Sequence, residues 1–271
     1  MDLAYFENFT FTIAFGLYVV AAILFLLFLS KLSKKVEKPA LIATSAGVLF
    51  HTIAMVFRTI GAGRLPLSNQ YEFAMSFAWG IIVCFIVLYV IYKFAAIGSF
   101  VLPLAILVMG YAAMQSKTIK PLMPALQSYW LTFHVGTAIL SYGSFALSCA
   151  LAVIYLIDVK RPEGKSILKD REISDMLAYR VIVFGQLMLT VVIISGAIWA
   201  QKAWSRYWAW DPKETWSLIT WIIYAIYLHL RLRRNWRGKP AAWFAIIGFA
   251  SVIFTFIGVN ILLPSLHSYV T

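Results

Sequence analysis

The chain has 271 residues, of which 62% are hydrophobic and only 13% charged, and its mean hydropathy is +0.83. A soluble domain carries about 25% charged residues, so this chain cannot cover itself with polar surface and lipid must form part of its solvent. The net charge of +12 does not indicate nucleic-acid binding, because the basic residues follow a membrane-topology pattern.

Apolar stretches long enough to cross a membrane as a helix, which takes about 20 residues, recur along the whole chain. Eight candidates lie roughly at 9–30, 40–60, 71–92, 94–113, 129–157, 176–200, 213–230 and 241–262. They lack the alternation of strands, so the sequence predicts an all-α polytopic membrane protein with eight transmembrane helices in a single membrane domain, 1–271. Residues 1–30 contain no Lys or Arg, so we expect the first stretch to stay as a membrane helix rather than act as a cleaved signal peptide.

The Lys and Arg residues predict the orientation. An outer N-terminus places most of the 23 basic residues inside, and leaves outside only Arg58, Arg64, Lys117, Lys120, Lys202, Arg206 and Lys213. Both termini are therefore predicted on the outer (periplasmic) side, and basic clusters such as 231–234 are interpreted as topology signals. Cys84 and Cys149 lie in apolar runs without CxxC spacing, which favours packing roles.

Tryptophan is concentrated in one segment, 199–221, which contains Trp199, Trp204, Trp208, Trp210, Trp216 and Trp221. An aromatic belt at the membrane interface accounts for one or two of them, but not for three within the short outer connection. The following residues, DPKE at 211–214, predict a helix start with a capping box, so Asp211 is either structural or faces a ligand. Indole faces hold large flat conjugated ligands well, and haem is such a ligand.

The run WSRYWAWDPKETWSLITW at 204–221 resembles the tryptophan-rich "WWD" signature of haem-handling proteins. It is most similar to the CcsA (ResC) type of the system II cytochrome c synthesis machinery, because DPKETWSLITW and the following YAIYLHLR differ from the CcmC and CcmF signatures. The resemblance extends to PLSNQYEF at 66–73, to His134 and to LHSY at 266–269, and so touches most of the chain. Ser205 departs from the family pattern, in which Gly is expected.

The four histidines are His51, His134, His229 and His267. A histidine in a membrane span is costly without a partner, and neutral imidazole is a common haem-iron ligand. His134, about one turn into the fifth helix, and His267, after the eighth, both lie on the tryptophan side. They are either interfacial histidines bonded to backbone or water, or two axial ligands of one haem. The resemblance implies the second interpretation, with an external haem b.

The other two histidines lie deeper. His229 follows Pro212 by 17 residues, about 26 Å of helix, so it cannot share that haem. The resemblance implies that His229 holds a second haem near the inner leaflet, with another axial histidine from a CcsB-type partner; the alternative is a solvated histidine beside Arg231. His51 is the other inner-haem ligand or, as we favour, a hydrogen-bonded core residue.

Glu72 is predicted to lie, with Asn69 and Tyr71, on an outer loop before the third helix. It is predicted to pair with Arg64, to contact haem propionates or the partner subunit, or to be simply a solvated loop residue. These alternatives are left open by the sequence.

The resemblance implies haem delivery and covalent attachment to the CxxCH motif of apocytochrome c, in which the two thiols add to the haem vinyl groups. The external haem-handling segment is 199–221, and the candidate haem-contacting residues are His134, His267, His229, Trp204, Trp208, Trp210, Asp211, Trp216 and Glu72. No general acid or nucleophile is obvious, so catalysis would consist of positioning. The expected setting is a bacterial cell membrane, or a thylakoid, with the active face outside.

Two alternatives keep the same sites: a haem transporter that leaves attachment to the partner, and an assembly factor without synthase activity of its own. A respiratory haem b subunit is disfavoured because such subunits pair histidines within the membrane bundle, whereas His134 and His267 are both predicted outside. A small-solute transporter is disfavoured because the sequence shows neither repeats nor broken helices.

Overall fold

The computed structural model describes residues 2–30, 34–122, 124, 127–162, 166 and 171–263, which form helices and no strand. The long helices are α1 (Leu3–Leu29), α2 (Glu37–Ala62), α3 (Gln70–Tyr92), α4 (Gly98–Ala113), α5 (Tyr129–Asp158), α6 (Arg171–Trp204), α7 (Pro212–Arg234) and α8 (Lys239–Ile253). A π-helical turn at Phe254–Gly258 and a short helix α9, Val259–Leu262, continue α8. The predicted all-α fold is confirmed.

Several helices are longer than the apolar stretches that predicted them. Their additional turns end at polar residues that cap the helix. The α1 helix begins at Leu3, where the Asp2 carboxylate accepts the amide of Tyr5 at 3.1 Å. The predicted break between α3 and α4 is confirmed: Lys93 adopts a left-handed conformation (φ 52°), and a 3₁₀ turn at Ala95–Ile97 precedes α4.

Seven helical segments are long and apolar enough to cross a membrane: α1 to α6, the fourth together with its preceding 3₁₀ turn, and Lys239–Leu262. Within the described part of the chain α7 falls outside this group, because tryptophan, tyrosine and polar side chains interrupt its aliphatic residues. The eighth crossing, by α7, and the side on which the termini lie stay predictions.

The chain forms two compact units, of which the first is Met1–Pro121. Its four helices form a ring, in which α1 contacts α2 and α4, and α3 contacts the same two helices. Glycines let aromatic rings approach the neighbouring backbone: a Cβ on Gly47 would lie 2.5 Å from Tyr18, and one on Gly98 would lie 2.8 Å from Phe25. Small residues at helix interfaces allow this close packing where lipid removes the hydrophobic driving force.

The second unit, Leu122–Thr271, repeats this arrangement with α5 to α8. Here α5 contacts α6 and α8, and α7 contacts the same two helices. The rings of Phe145 and Tyr224 stack at its centre, with centroids 3.7 Å apart and planes 5° from parallel. Gly185 and Gly248 make room for them, since a Cβ would lie 2.7 Å from Phe145 and 2.5 Å from Tyr224 respectively.

Ion pairs close one end of the second unit. The Asp158 carboxylate accepts from Arg171 at 2.7 Å, where α5 ends and α6 begins. Both terminal nitrogens of Arg231 donate to Asp175, at 2.9 and 2.6 Å, and the amide of Gly238 donates to the same carboxylate at 3.0 Å. Arg231, a member of the predicted topology cluster, therefore ties α7 to α6 and to the start of α8. The opposite end, where α6 ends and α7 begins, is called the tryptophan end below.

Candidate functional site

A seven-residue connection, 205–211, joins α6 to α7 and is called the tryptophan turn. Two of its residues that are not glycine have left-handed backbones, Ser205 with φ 58° and Trp210 with φ 56°. Ser205 ends α6, and its amide donates to the carbonyl of Gln201 at 3.0 Å. The position just after a helix often has a left-handed backbone, and glycine is favoured there. This explains why the family pattern predicts Gly at position 205.

The predicted capping box at the start of α7 is confirmed. The Asp211 carboxylate accepts the amide of Lys213 at 3.0 Å, and the Glu214 carboxylate accepts the amide of Asp211 at 3.1 Å. Pro212 occupies the first helical turn, as predicted. Asp211 is only 5% exposed, which supports the structural interpretation of this residue. A second amide, that of Ala209, also donates to Glu214, at 2.8 Å.

The tryptophans of the segment 199–221 differ widely in exposure. Trp199 is 1% exposed and packs edge-on against Trp204, with centroids 5.0 Å apart. Trp208 is half-buried and meets Trp210 edge-on at 5.7 Å, while Trp210 itself is 69% exposed. The segment therefore combines a buried indole, Trp199, and a half-buried one, Trp204, at the end of α6 with an exposed indole on the turn, Trp210.

Two further tryptophans of the segment lie on α7. The ring centroids of Trp216 and Phe254 lie 4.1 Å apart, and Phe254 is the first residue of the π-helical turn. The indole N–H of Trp221 donates to Thr190 at 2.9 Å, and its carbonyl accepts from Gln186 at 3.1 Å. Trp221 therefore binds α7 to α6, and it lies away from the turn.

His134 lies about one turn into α5, as predicted, and α6 holds its imidazole ring. Its Nδ1 lies 2.9 Å from the carbonyl oxygen of Val192, and the ring stacks on Trp199 with centroids 6.1 Å apart and planes 19° apart. A Cβ on Gly196 would lie 2.8 Å from the imidazole, so glycine makes the space for the ring. Since a carbonyl oxygen only accepts, Nδ1 carries the hydrogen and Nε2 keeps the lone pair that binds metals.

A lysine lies one helical turn beyond this pair, toward the end of α6. The ammonium of Lys202 lies 5.9 Å from the ring centroid of Trp130, a residue four positions before His134. The pairs of His134 with Trp199 and of Lys202 with Trp130 are thus successive layers between α5 and α6. Sequence reasoning placed Lys202 on the outer side but did not connect it with the site.

The other predicted histidine ligands occupy different surroundings. His229 is exposed on α7, toward the end of the helix that carries Arg231. His51 belongs to the first unit, where it is fully buried, lies 3.3 Å from the Tyr18 hydroxyl through Nδ1, and meets Phe11 edge-on. This environment supports the core interpretation of His51. His267 lies outside the described residues.

Glu72 lies in the first turn of α3 and is fully buried, so the expectation of a solvated loop residue is wrong. Both of its carboxylate oxygens are engaged. Arg64 donates to one oxygen at 2.7 Å, and Arg58 contacts the other at 2.9 Å. The amide and hydroxyl of Ser68 also donate to Glu72, at 3.0 and 2.9 Å. The predicted pair with Arg64 is confirmed, and the fully buried Arg58 is the partner that sequence reasoning missed. Arg58 also lies 3.7 Å from Glu7.

Fold and site together define an all-helical polytopic membrane protein with a polarised imidazole and a cluster of indoles at one end of a four-helix unit. The family described as "Cytochrome C assembly protein" matches residues 67–267, which include the whole tryptophan segment. Among curated proteins, cytochrome c biogenesis protein CcsA of Guillardia theta is 39% identical over 245 residues, covering 80% of this chain and 81% of the relative.

Other curated relatives carry the same protein name. CcsA of one strain of Prochlorococcus marinus is 36% identical over 84% of this chain and 83% of its own length, and CcsA of Trieres chinensis is 32% identical over 99% of both. The solved structure of cytochrome c haem lyase CcmF has the same fold with a TM-score of 0.68 and 17% identity, covering 98% of this chain and 48% of that one. The chain belongs to the cytochrome c assembly protein family.

Proposed function

We propose that this chain holds haem b at the tryptophan end of the second unit, through His134 and His267, and presents it for covalent attachment to apocytochrome c. The environment of His134 is the observation that supports this proposal most directly. Its Nδ1 donates to the Val192 carbonyl while the ring stacks on Trp199. A histidine ligand of a metal is normally oriented by such a hydrogen bond from its other nitrogen, which also raises its basicity. Membership of the cytochrome c assembly family makes haem the substrate to consider.

The indoles supply the second requirement, a surface for a large flat ligand. Trp204 and Trp208 are half-buried and Trp210 is exposed, so this segment offers indole faces of different exposure next to the helix that holds the imidazole. Aromatic faces of this kind stack on conjugated rings with little loss of side-chain entropy. Asp211 and Trp216 fix the start of α7, the first through the helix cap and the second through its contact with Phe254.

Attachment joins haem to the two thiols of a CxxCH motif. Each sulfur bonds to a vinyl carbon and the thiol hydrogen passes to the other vinyl carbon, so the addition itself needs no external oxidant. The chain's part in this proposal is positioning: the imidazoles bind the iron, the indoles orient the ring, and the vinyl edge stays open to the apoprotein. Histidine of the incoming motif then replaces one of the axial imidazoles as the product leaves.

A second haem site is proposed around His229. This residue is exposed on a helix that we propose crosses the membrane, so its imidazole faces out of the unit and is accessible to a neighbouring subunit. A CcsB-type partner would supply the other axial histidine. His51, buried against Tyr18 within the first unit, is then a core residue. Glu72 is proposed to brace the first unit, since its oxygens are occupied by arginines and Ser68.

The distribution of basic residues supports placing the tryptophan end on the outer face of the membrane, in a bacterial inner membrane or a thylakoid. Apocytochrome c would meet haem on that face. This topology is testable by attaching reporter enzymes after residues of the tryptophan turn and after the end of α7, and comparing their activities on the two sides.

Haem spectroscopy tests the main proposal. The chain, co-expressed with a CcsB-type partner and purified in detergent, should show a Soret band, and His134→Ala should lower it several-fold. Because the substitution leaves an empty space beside Trp199, of the size of an imidazole ring, added imidazole should restore the band. Unchanged haem content and cytochrome c maturation after replacing both His134 and His267 by Ala would refute the proposal. Thioether formation with purified components separates a synthase from a haem carrier that leaves attachment to its partner.

A further inference from the structure

Trp210 has a backbone conformation that a bulky side chain rarely adopts. Its φ of 56° lies in the left-handed region, which favours glycine, asparagine and aspartate. Such a conformation persists only where surrounding groups hold it, and it is concentrated at functional sites. The indole gains little packing in return, since it is 69% exposed and its described ring neighbour is Trp208, edge-on at 5.7 Å. Ring packing therefore does not account for the backbone conformation of Trp210.

Two groups at the start of α7 bond to this backbone: the Thr215 hydroxyl donates to the carbonyl of Trp210 itself at 3.3 Å, and one carboxylate oxygen of Glu214 accepts from the residues on either side. Glu214 Oε2 accepts the amide of Ala209 at 2.8 Å and the amide of Asp211 at 3.1 Å, the residues on either side of Trp210. A left-handed residue turns neighbouring amides toward one point, and such a concavity binds an anion. In the capping box Glu214 accepts the amide of Asp211, so its bond to the amide of Ala209 is additional to the helix cap.

We infer that Glu214 is a positioning residue, which clamps the backbone on both sides of Trp210 and so holds the Trp210 indole outward for contact with the face of the haem ring. The inference rests on the proposed haem function for its substrate, but the clamp itself is a property of the free chain. This clamp is what distinguishes Trp210 from Trp199 and Trp204, whose indoles pack against each other and, for Trp199, against His134.

Three variants and one control test this role in the full-length chain co-expressed with its partner. Glu214→Ala removes the acceptor. Glu214→Gln keeps a carbonyl oxygen that can accept both amides, so it should rescue the effect. Trp210→Gly removes the indole while relieving the backbone. Asp2→Ala removes a helix cap from the first unit, where Asp2 accepts from Tyr5, and controls for general loss of a cap.

Two measurements test the backbone clamp and the haem contact separately. Hydrogen exchange of the peptide covering 205–214, measured without haem, should speed up in Glu214→Ala and stay unchanged in Glu214→Gln. The rate of haem transfer to excess apomyoglobin should rise about tenfold in Glu214→Ala and in Trp210→Gly, equivalent to about 1.4 kcal/mol. Trp210→Gly should keep or raise the thermal midpoint, because glycine accepts φ 56°. Asp2→Ala should match the wild type in both readouts.

The outcomes are distinct. Unchanged exchange in Glu214→Ala refutes the clamp, whatever the haem content. Exchange and haem loss in Glu214→Gln as fast as in Glu214→Ala also refute it, since the charge rather than the two accepted bonds would then matter. A wild type that shows exchange protection but no Soret band refutes the proposed haem function and leaves the clamp standing.

Discussion

Gly196 faces the imidazole of His134 across the α5–α6 interface, and adding one methyl group there tests how the ring is held. A Cβ at position 196 would lie 2.8 Å from Cε1 and 2.9 Å from Nδ1 of His134. Ordinary contact begins at 3.4 Å, so the ring must retreat by 3.4 − 2.8 = 0.6 Å. Its Nδ1 lies 2.9 Å from the Val192 carbonyl oxygen. A displacement of this size lengthens that hydrogen bond beyond the usual N–H···O range of about 2.7–3.2 Å.

The free-energy cost follows from these distances. Loss of one hydrogen bond costs about 0.5–1.5 kcal/mol, and overpacking of a tight interface costs about 1–3 kcal/mol. We expect Gly196→Ala to weaken haem binding by roughly tenfold without removing any functional group. The assay is the Soret absorbance per mole of purified complex, with the rate of haem transfer to apomyoglobin as the second measurement.

Gly136→Ala is the matched control, because Gly136 lies two residues beyond His134 on α5 and a Cβ there meets nothing within 4 Å. It should retain haem like the wild type. If Gly196→Ala and Gly136→Ala retain haem equally, the imidazole that binds iron is not held by Val192 and the proposed role of His134 in this geometry is refuted.

Three further predictions concern stability, measured as the thermal midpoint in detergent. Gly185→Ala should destabilise the chain by about 1–3 kcal/mol, because its Cβ would lie 2.7 Å from Phe145, whose ring is fixed by stacking; a wild-type midpoint would contradict the close packing. Ser205→Gly should stabilise by about 0.5–1 kcal/mol, since the backbone has φ 58°, and a lowered midpoint would argue against that conformation. Glu72→Ala should cost about 3–5 kcal/mol by leaving Arg58 buried without its main partner, and Glu72→Gln should cost less; equal, small effects would refute the buried pair.

Local patterns predicted most of the helices and the cap of α7. Runs of apolar residues identify membrane helices because the hydrocarbon thickness requires a minimum length, and the DPKE sequence predicts a capping box because its bonds join residues within one turn. The expected glycine at position 205 was likewise a local signal, and the left-handed backbone of Ser205 explains it. In α7 the same reasoning is less decisive, since polar and charged residues at both ends shorten its apolar stretch.

Other features depend on which helix faces meet. The partners of the His134 imidazole, Val192 and Trp199, are 58 and 65 residues away in sequence, on another helix. Arg58 and Glu72 belong to different helices, and the composition of a membrane span does not show that a buried arginine has a carboxylate opposite it. The Glu214 clamp also needed the turn geometry, because Ala209 precedes the helix and its bond to Glu214 accompanies the left-handed backbone of Trp210.

The sequence by itself determined that this protein is a bundle of membrane helices with a capped tryptophan segment, because those properties follow from segment length, polarity and bonds within one turn. Only the tertiary structure decided the orientation of His134, the exposure of Trp210 and the division into two four-helix units. These depend on the rotation of each helix about its axis, which is set by close packing of glycines against aromatic rings on neighbouring helices.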